Sequence, residues 1–276
     1  MNSTPTSACL RSNVTVSGVS SPAPAIVFLH GLGSDQSCWR LLAPAFEDHH
    51  QVVLLDLAGA GKLDAAAYNY AKYGSLRAHA DDLLAVLHEL GLHDVVFVGH
   101  SVSAMIGVLA AIKEPAGFGR LVLLAPSPRF ANAESYAGGF EQKDINELLA
   151  AIENSYHGWS QGMAPLMVGA DSPDLIMELT NSFFQTNSTI AKHFARVTFT
   201  LDHRADLPLL TTPTLILQCT HDVIAPLAVG NYIHEALADS QLVVIDTPGH
   251  SAHLTAPNET LPEMEKFLRL VSACAY

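Results

Sequence analysis

Short apolar segments of strand length alternate with helical patterns in two separate stretches of the chain, and this alternation limits the fold more than any other feature. The strand patterns lie at residues 25–29, 51–56, 94–98, 120–125, 214–219 and 241–245. Most of these runs are apolar on both faces, which is typical of parallel strands covered by helices on each side. The alternation therefore predicts an α/β fold with a mostly parallel central sheet.

The alternation stops between about Ser127 and Leu207. In this part of the chain the pattern is amphipathic and helical, with helices indicated at 144–156, 173–185 and 189–199 and no convincing strand. A helical insertion that interrupts an α/β core explains this order. We therefore predict a core of residues 1–127 and 207–276 and a helical lid of residues 128–206.

Composition and charge exclude several classes of function. Hydrophobic residues make up 49% of the 276 residues and charged residues 15%, so the chain can bury a large core. The net charge is −13, from 14 Lys and Arg against 27 Asp and Glu, and the basic residues do not cluster. A phosphate backbone repels such a surface, so nucleic-acid binding is not expected.

Membrane insertion, secretion and metal binding are not expected either. No window approaches the ~18 unbroken apolar residues of a membrane span, and residues 1–24 lack the basic start and apolar block of a signal peptide. The four cysteines show no CxxC spacing, so neither a zinc site nor a disulfide scaffold is indicated. We predict a cytoplasmic protein that needs no metal and no organic cofactor.

The strongest local motif is Gly99-His100-Ser101-Val102-Ser103, which lies between a predicted strand and a predicted helix. A serine on such a tight turn presents its hydroxyl above the sheet, and small neighbours let strand and helix approach closely. The motif usually ends in glycine, and Ser103 takes that place here. Ser101 is therefore the candidate nucleophile.

A serine hydroxyl needs a base to activate it, and the base needs a group that orients it. Asp222 follows the strand pattern at 214–219, and His250 follows the one at 241–245. Both lie at the carboxyl ends of parallel strands, as Ser101 does, where open α/β sheets place their sites. The order Ser, acid, His is also that of the nucleophile-elbow hydrolases. Ser101, Asp222 and His250 are the predicted catalytic triad.

Other titratable residues near these positions receive lesser roles. His253 is expected in the turn of the last helix with a supporting role, and His221 is expected to point away from Asp222. Asp246 is the rival acid at a strand end, although the loop position favours Asp222. His100 flanks the nucleophile and is expected to be a packed neighbour.

The glycine-rich turn His30-Gly31-Leu32-Gly33 follows the first core strand. In folds with a nucleophile elbow the corresponding loop supplies one N–H group for the oxyanion, and the residue after the nucleophile supplies the second. The predicted oxyanion donors are therefore the backbone amides of Leu32 and Val102.

The motifs together resemble those of the RsbQ-like α/β-hydrolases, a family that includes bacterial stress-response regulators and plant karrikin and strigolactone receptors. The resemblance covers nearly the whole chain and is carried by residues 30–39, 73–76, 96–107, 125–130, 138–140, 217–219 and 222–226. Ser103 is normal for the plant branch, whereas Leu32 replaces the usual aromatic residue of the family.

The resemblance implies an α/β-hydrolase fold in which a V-shaped lid of four helices covers a deep apolar pocket. Aromatic residues implied to line the lid or pocket are Phe130, Tyr136, Phe140, Trp159, Phe183, Phe184, Phe194 and Phe199. Taken singly, each is equally compatible with ordinary core packing, because every lid helix needs an apolar face.

The function implied is hydrolysis of a small hydrophobic ester or a butenolide-type lactone by a monomer. The alternative is a ligand-sensing receptor or stress regulator whose output is contact with a signalling protein, since bacterial members act with a phosphatase of the general stress pathway. A perhydrolase or lyase would use the same three residues, and the sequence does not separate these readings.

Overall fold

The structure is a computed structural model that describes residues 7–60, 68–169 and 172–272. Its strands are β1 (Thr15–Gly18), β2 (Ile26–Leu29), β3 (Gln51–Leu55), β4 (Val95–His100), β5 (Phe118–Leu124), β6 (Thr214–His221) and β7 (Ser240–Pro248). They form one sheet in the order β1-β3-β2-β4-β5-β6-β7. Only β1 runs antiparallel to its neighbour, β3, and the other pairs are parallel.

The helices of the described residues are α1 (Ala8–Arg11), α2 (Leu76–Leu90), α3 (Val102–Lys113), α4 (Gln142–Asn154), α5 (Tyr156–Val168), α6 (Pro173–Gln185), α7 (Ser188–Phe199), α8 (Leu227–Ala236), α9 (Ala252–Thr255) and α10 (Pro257–Ser272). No helix in the described ranges is both long and apolar enough to cross a bilayer.

Alternate residues of the central strands enter two separate cores, one on each face of the sheet. In β2, Val27 and Leu29 pack into the core that also contains side chains of α2, α3 and α8. Their neighbours Ile26 and Phe28 pack into the core that contains side chains of α10. The strand patterns are apolar at every position because both faces are covered.

The sequence-based strands are found with small changes in their ends. β6 extends to His221 and β7 to Pro248, each further than its apolar pattern, because the polar ends of these strands still pair with one another. The short strand β1 has no clear sequence pattern, and its backbone pairs with β3 at the edge of the sheet. The predicted α/β architecture with a mostly parallel sheet is confirmed.

Four helices, α4 to α7, lie between β5 and β6, in the segment 128–206 that the sequence indicated as a lid. Helix α4 contacts α5 and α7, and α5 also contacts α6. Three of these helices match the amphipathic patterns. The fourth, α5, contains Gly158, Gly162 and Pro165, which obscure its helical pattern.

Candidate active site

Ser101 occupies the turn between β4 and α3. Its backbone has φ 57° and ψ −123°, in the positive-φ region that a residue with a side chain adopts at a cost in strain. Its N–H donates to the carbonyl of Leu124 at the end of β5, at 2.8 Å. The sheet thus holds the strained turn in place, as expected for a serine presented above the strands.

The three residues of the predicted triad are brought together. The Nε2 atom of His250 lies 2.8 Å from Ser101 Oγ, and its Nδ1 atom lies 2.6 Å from Asp222 Oδ2. A carboxylate only accepts hydrogen bonds, so Nδ1 carries the proton and Nε2 is left to accept the serine proton. The arrangement is a continuous and buried Asp–His–Ser relay.

The Asp222 carboxylate is itself held by the backbone. Its Oδ1 atom accepts hydrogen bonds from the amides of Ile224 at 2.8 Å and Ala225 at 3.1 Å. Oδ2 is therefore directed at the imidazole. Asp246, the rival acid, is exposed and accepts from the Thr220 hydroxyl at 3.1 Å, which excludes it as the partner of His250.

The main chain of His250 is anchored at both of its polar groups. Its N–H donates to the carbonyl of Met167 in α5 at 2.7 Å. Its carbonyl oxygen accepts from Nε2 of His100 at 2.8 Å, so the histidine before the nucleophile acts as a support for the triad. Burial holds the pKa of His100 well below its usual range, and His253 and His250 lower it further, which keeps this imidazole neutral.

His253 packs against His100, the residue that supports the triad. Its ring lies 4.4 Å from that of His100 and 4.9 Å from that of Trp39, measured between centroids. Burial lowers the pKa of His253 to about 3, so it packs as a neutral aromatic residue. It lies in α9, just before the last helix. His221 is exposed and takes no part in the relay.

Two glycines form the junction between the end of α5 and the His250 loop. Gly169, after α5, has φ +65°, and Gly249 has φ +85°. A Cβ atom on Gly169 would lie 2.3 Å from the Gly249 nitrogen, and one on Gly249 would lie 2.4 Å from the Val168 carbonyl oxygen. Only glycine permits this conformation and this closeness at both positions.

The predicted oxyanion donors are the backbone amides of Val102, next to Ser101 in the chain, and Leu32. Val102 is the first residue of α3, where an N–H has no acceptor within the helix. Leu32 follows β2 and contributes to the wall of the cavity over Ser101. The assignment of these two amides as oxyanion donors stays a prediction, based on the role that such backbone N–H groups have in acyl transfer.

Ser103 joins the segments that carry the two predicted oxyanion donors. Its hydroxyl donates to the carbonyl of His30, which links the first turn of α3 to the end of β2. His30 in turn accepts from the Leu57 amide at Nε2, 3.1 Å away, and its Nδ1 lies 2.8 Å from the Gly31 carbonyl. Burial lowers the pKa of His30, in keeping with a neutral ring that donates from Nδ1. A glycine at position 103 would lack this connection.

A cavity lies over Ser101 and is called the Ser101 cavity below. Its wall is formed by Leu32, Ser101, Phe130, Trp159, Met163, Met167, Phe183, Thr198, Phe199, Ile224 and His250. Four of the aromatic residues expected in the pocket are thus present, namely Phe130, Trp159, Phe183 and Phe199.

The four other aromatic residues of the set expected to line the lid or the pocket lie outside this wall. The Tyr136 hydroxyl donates to the Arg129 carbonyl at 2.6 Å, and its ring packs on Tyr232. Phe194 is buried and packs on His79 of α2. The remaining two are Phe140, which is half-buried next to Phe199, and Phe184, which is 36% exposed. An aromatic residue type does not reveal which face of a helix or which side of a loop it occupies.

Four wall residues were missed by sequence reasoning: Met163, Met167, Thr198 and Ile224. The two methionines lie on α5, the helix whose pattern was obscured. Ile224 follows Asp222 in the motif at 222–226, and its place near the acid was the only available signal. Thr198 carries no signal in the sequence, because it is a single hydroxyl residue in an amphipathic helix.

The residues that the structure describes contain no group of three or more His, Cys, Asp and Glu side chains arranged to hold a metal ion. The buried cysteines pack as apolar groups, since burial raises the pKa of Cys219 to about 12 and that of Cys38 further still.

Comparisons with known proteins agree with this geometry. A model of the "Alpha/beta hydrolase family" matches residues 26–263. The chain is 40% identical over 255 residues to the karrikin insensitive 2 receptor IA of Petunia hybrida, covering 92% of this chain and 93% of that protein. It is 39% identical over 255 residues to the strigolactone esterase RMS3 of Pisum sativum, covering 92% and 95%.

A solved structure is similar over the same extent. The hydrolase olei00960 from Oleispira antarctica superposes with a TM-score of 0.91 at 35% identity, covering 95% of this chain and 96% of that chain. The α/β-hydrolase fold predicted from the sequence is confirmed, and so is the resemblance to a group that contains karrikin and strigolactone receptors. The chain belongs to the alpha/beta hydrolase family and is a hydrolase.

Proposed function

We propose that this hydrolase cleaves small apolar esters or butenolide-type lactones, with Ser101 as nucleophile, His250 as base and Asp222 as the orienting acid. The observation that carries the proposal is the unbroken relay of two hydrogen bonds, 2.6 Å and 2.8 Å long, that ends at a serine hydroxyl in the wall of an apolar cavity.

The first half of the reaction transfers the acyl group of the substrate to Ser101. As Ser101 Oγ bonds to the carbonyl carbon, its proton passes to His250 Nε2, and the resulting imidazolium is stabilised by Asp222. The carbonyl π electrons move to oxygen, and the amides of Leu32 and Val102 stabilise this oxyanion. When the C–O bond to the leaving alcohol breaks, His250 returns the proton to that alcohol, leaving an acyl group on Ser101.

Water completes the cycle. His250 takes a proton from a water molecule that attacks the acyl carbon, and the proton then passes to Ser101 Oγ as the acid is released. For a lactone, the alcohol and the acid are parts of one molecule, so the first step opens the ring. No metal and no organic cofactor enter these steps.

The composition of the Ser101 cavity supports an apolar substrate. Most of its wall is aliphatic, aromatic or methionine, as in sites that bind small apolar ligands. The names of the relatives point in the same direction, because one is a strigolactone esterase and another a karrikin receptor. We propose that residues 128–206 act as the lid of this cavity.

A second candidate function is ligand sensing, and one contact favours it. The His250 amide donates a hydrogen bond to the Met167 carbonyl, which connects the base directly to the lid helix α5. A ligand or acyl group that shifts His250 would also shift α5. We propose that such a change in the lid is read by a signalling protein, a phosphatase or another effector. The cytoplasmic location and the monomeric state inferred from the sequence stay predictions.

Hydrolysis of p-nitrophenyl acetate and of a panel of butenolides by the wild-type protein and Ser101→Ala tests the proposal. We expect turnover by the wild type, loss of at least about a thousandfold in Ser101→Ala, and unchanged melting temperatures. Hydrolysis that survives the substitution would contradict the assignment. Slow turnover together with a ligand-dependent change in melting temperature favours the sensing function. Rapid turnover without such a change favours a metabolic enzyme.

A further inference from the structure

Thr198 lies on α7 in the wall of the Ser101 cavity, with only 2% of its surface exposed. Its hydroxyl has no hydrogen-bond partner among the residues that the structure describes. Native proteins leave few buried hydroxyl groups without a partner, because the desolvation of such a group is unfavourable. The unpaired Thr198 hydroxyl, in the same cavity wall as Ser101, is therefore an unusual feature of this site.

Hydroxyl side chains on the neighbouring helices do not share this feature. Thr180 in α6 donates to the carbonyl of Ile176 at 2.7 Å, and Ser160 in α5 donates to that of Tyr156 at 2.7 Å. This bond to the carbonyl one turn earlier is available to serine and threonine in any helix. Thr198 does not use it, so its hydroxyl is free to bind a group that enters the cavity.

A second donor in the same wall is also without a partner. The indole Nε1 of Trp159, on α5, is buried and bonds to no described residue. Apart from Ser101, His250 and Thr198 itself, the wall residues carry no side-chain oxygen or nitrogen that accepts a hydrogen bond. Two donors from two lid helices thus border the cavity, and neither is bonded to a described residue.

We propose that Thr198 is a specificity residue that binds a second oxygen of the substrate, remote from the scissile carbonyl. The substrate class is then a small ester or lactone that carries an additional ketone, ether or hydroxyl oxygen, in preference to a plain hydrocarbon ester. This inference rests on the proposed hydrolysis at Ser101. A site with a donor of this kind discriminates against an analogue that lacks the acceptor, because the donor stays unpaired.

The test compares pairs of substrates that differ only in this oxygen. p-Nitrophenyl methoxyacetate and butyrate differ by an ether oxygen in place of a methylene, and p-nitrophenyl 4-oxopentanoate and 4-methylpentanoate differ by a ketone oxygen in place of a methyl. The quantity measured is the ratio of kcat/KM for the oxygen-bearing member to that for the hydrocarbon member. Intrinsic reactivity cancels when this ratio is compared between variants.

The variant Thr198→Val replaces the hydroxyl by a methyl group of similar shape. We expect the ratio to fall by about 5- to 50-fold for at least one pair, as for the loss of one hydrogen bond in a buried site. Thr198→Ser keeps the hydroxyl and should keep the wild-type ratio. Thr180→Val removes a hydroxyl that is bonded within its own helix, outside the cavity wall, and should also keep it.

Thermal melts without ligand separate specificity from structure. Thr198→Val should melt at or above the wild-type temperature, because no hydrogen bond within the protein is lost. The inference is overturned if Thr198→Val keeps the wild-type ratio for both pairs, or if it melts clearly lower, which would mean that the hydroxyl is already paired. If hydrolysis still requires Ser101 in that case, only this inference fails; if hydrolysis does not require Ser101, the proposed function fails first.

Discussion

The backbone amide of His250 donates to the carbonyl oxygen of Met167 at 2.7 Å, which joins the residue that activates Ser101 to the last turn of α5. The contact is possible because Gly169 and Gly249 pack directly against each other beside it. The position of the base is therefore set partly by the helices that cover the cavity.

Gly169→Ala should disturb this junction. The new Cβ atom would lie 2.3 Å from the Gly249 nitrogen and would occupy a positive-φ conformation, so His250 or α5 must move. We expect kcat to fall about tenfold or more and KM to change less, since misplacement of a catalytic group by a fraction of an ångström is enough for such a loss. Steady-state kinetics on p-nitrophenyl acetate measure both constants.

The matched control is Gly162→Ala in the same helix. A Cβ atom at Gly162 meets nothing within 4 Å, and alanine favours the helix by up to about 1 kcal/mol. This variant should keep wild-type kcat and be equally or more stable. Equal kcat in the two alanine variants would contradict the coupling between α5 and the base.

Asp222→Asn should lower kcat by about 10²- to 10⁴-fold while the protein stays folded. An amide at this position can donate to Nδ1 of His250, which favours the tautomer with the proton on Nε2 and removes the acceptor for the serine proton. Asp246→Asn is the control, because Asp246 is exposed and bonds Thr220. Loss of activity in the control alone would reverse the assignment of the acid.

Ser103→Ala tests the connection between the two oxyanion segments. The substitution leaves the buried His30 carbonyl without the Ser103 donor, which costs about 1–3 kcal/mol of stability. It should also lower kcat several-fold, because the segment that carries Leu32 is less firmly held. Ser160→Ala removes a buried hydroxyl of α5 that bonds within its own helix, so it should lower stability with little change in kcat. If Ser103→Ala affects stability alone, its hydroxyl has no part in placing the oxyanion donor.

Stability should fall as the pH is lowered from 7 towards 5, in part because of His79. Burial lowers the pKa of His79 from its ordinary 6.5 to about 4. Above pH 6.5 the residue is neutral in both states and has no effect. Between pH 6.5 and 4 the unfolded chain binds a proton that the folded protein does not, which lowers the free energy of unfolding by as much as ~2 kcal/mol at pH 5.

Urea denaturation at pH 7 and pH 5 measures this effect. Between pH 7 and pH 5, the free energy of unfolding should fall less in His79→Leu than in the wild type. Some fall should remain in the variant, because burial also lowers the pKa of His30, His100 and His253. His49→Leu, at an exposed position, should show the wild-type loss. An identical loss in His79→Leu would show that this imidazole does not stay neutral in the folded protein.

Much of the site could be predicted because its residues sit at fixed places in a parallel sheet. Ser101, Asp222 and His250 each follow a strand that the apolar pattern reveals, and parallel strands bring their carboxyl ends to one edge. The strand patterns survive in the sequence because both faces of the sheet are buried. The hydrogen bonds of 2.6 Å and 2.8 Å could not be read from the chain, but the meeting of the three residues could.

The cavity wall was less predictable for physical reasons. Helix α5 contains Pro165 and two glycines, so its apolar face does not stand out, and Met163 and Met167 were missed with it. Tyr136 and Phe194 are aromatic but contact other partners: Tyr136 lies in a loop before α4, and the face of α7 that carries Phe194 is set by tertiary packing. The Gly169–Gly249 junction depends on two loops 80 residues apart, and no local pattern indicates it.

Trapping of the acyl-enzyme tests the central claim most directly. The wild-type protein is mixed with p-nitrophenyl acetate, quenched in acid within the first turnover, and analysed by intact mass and peptide mapping. The account predicts one acetyl group, located on Ser101, and none in the Ser101→Ala variant. An acetyl group on another residue in the wild type, or turnover that continues in Ser101→Ala, would contradict it.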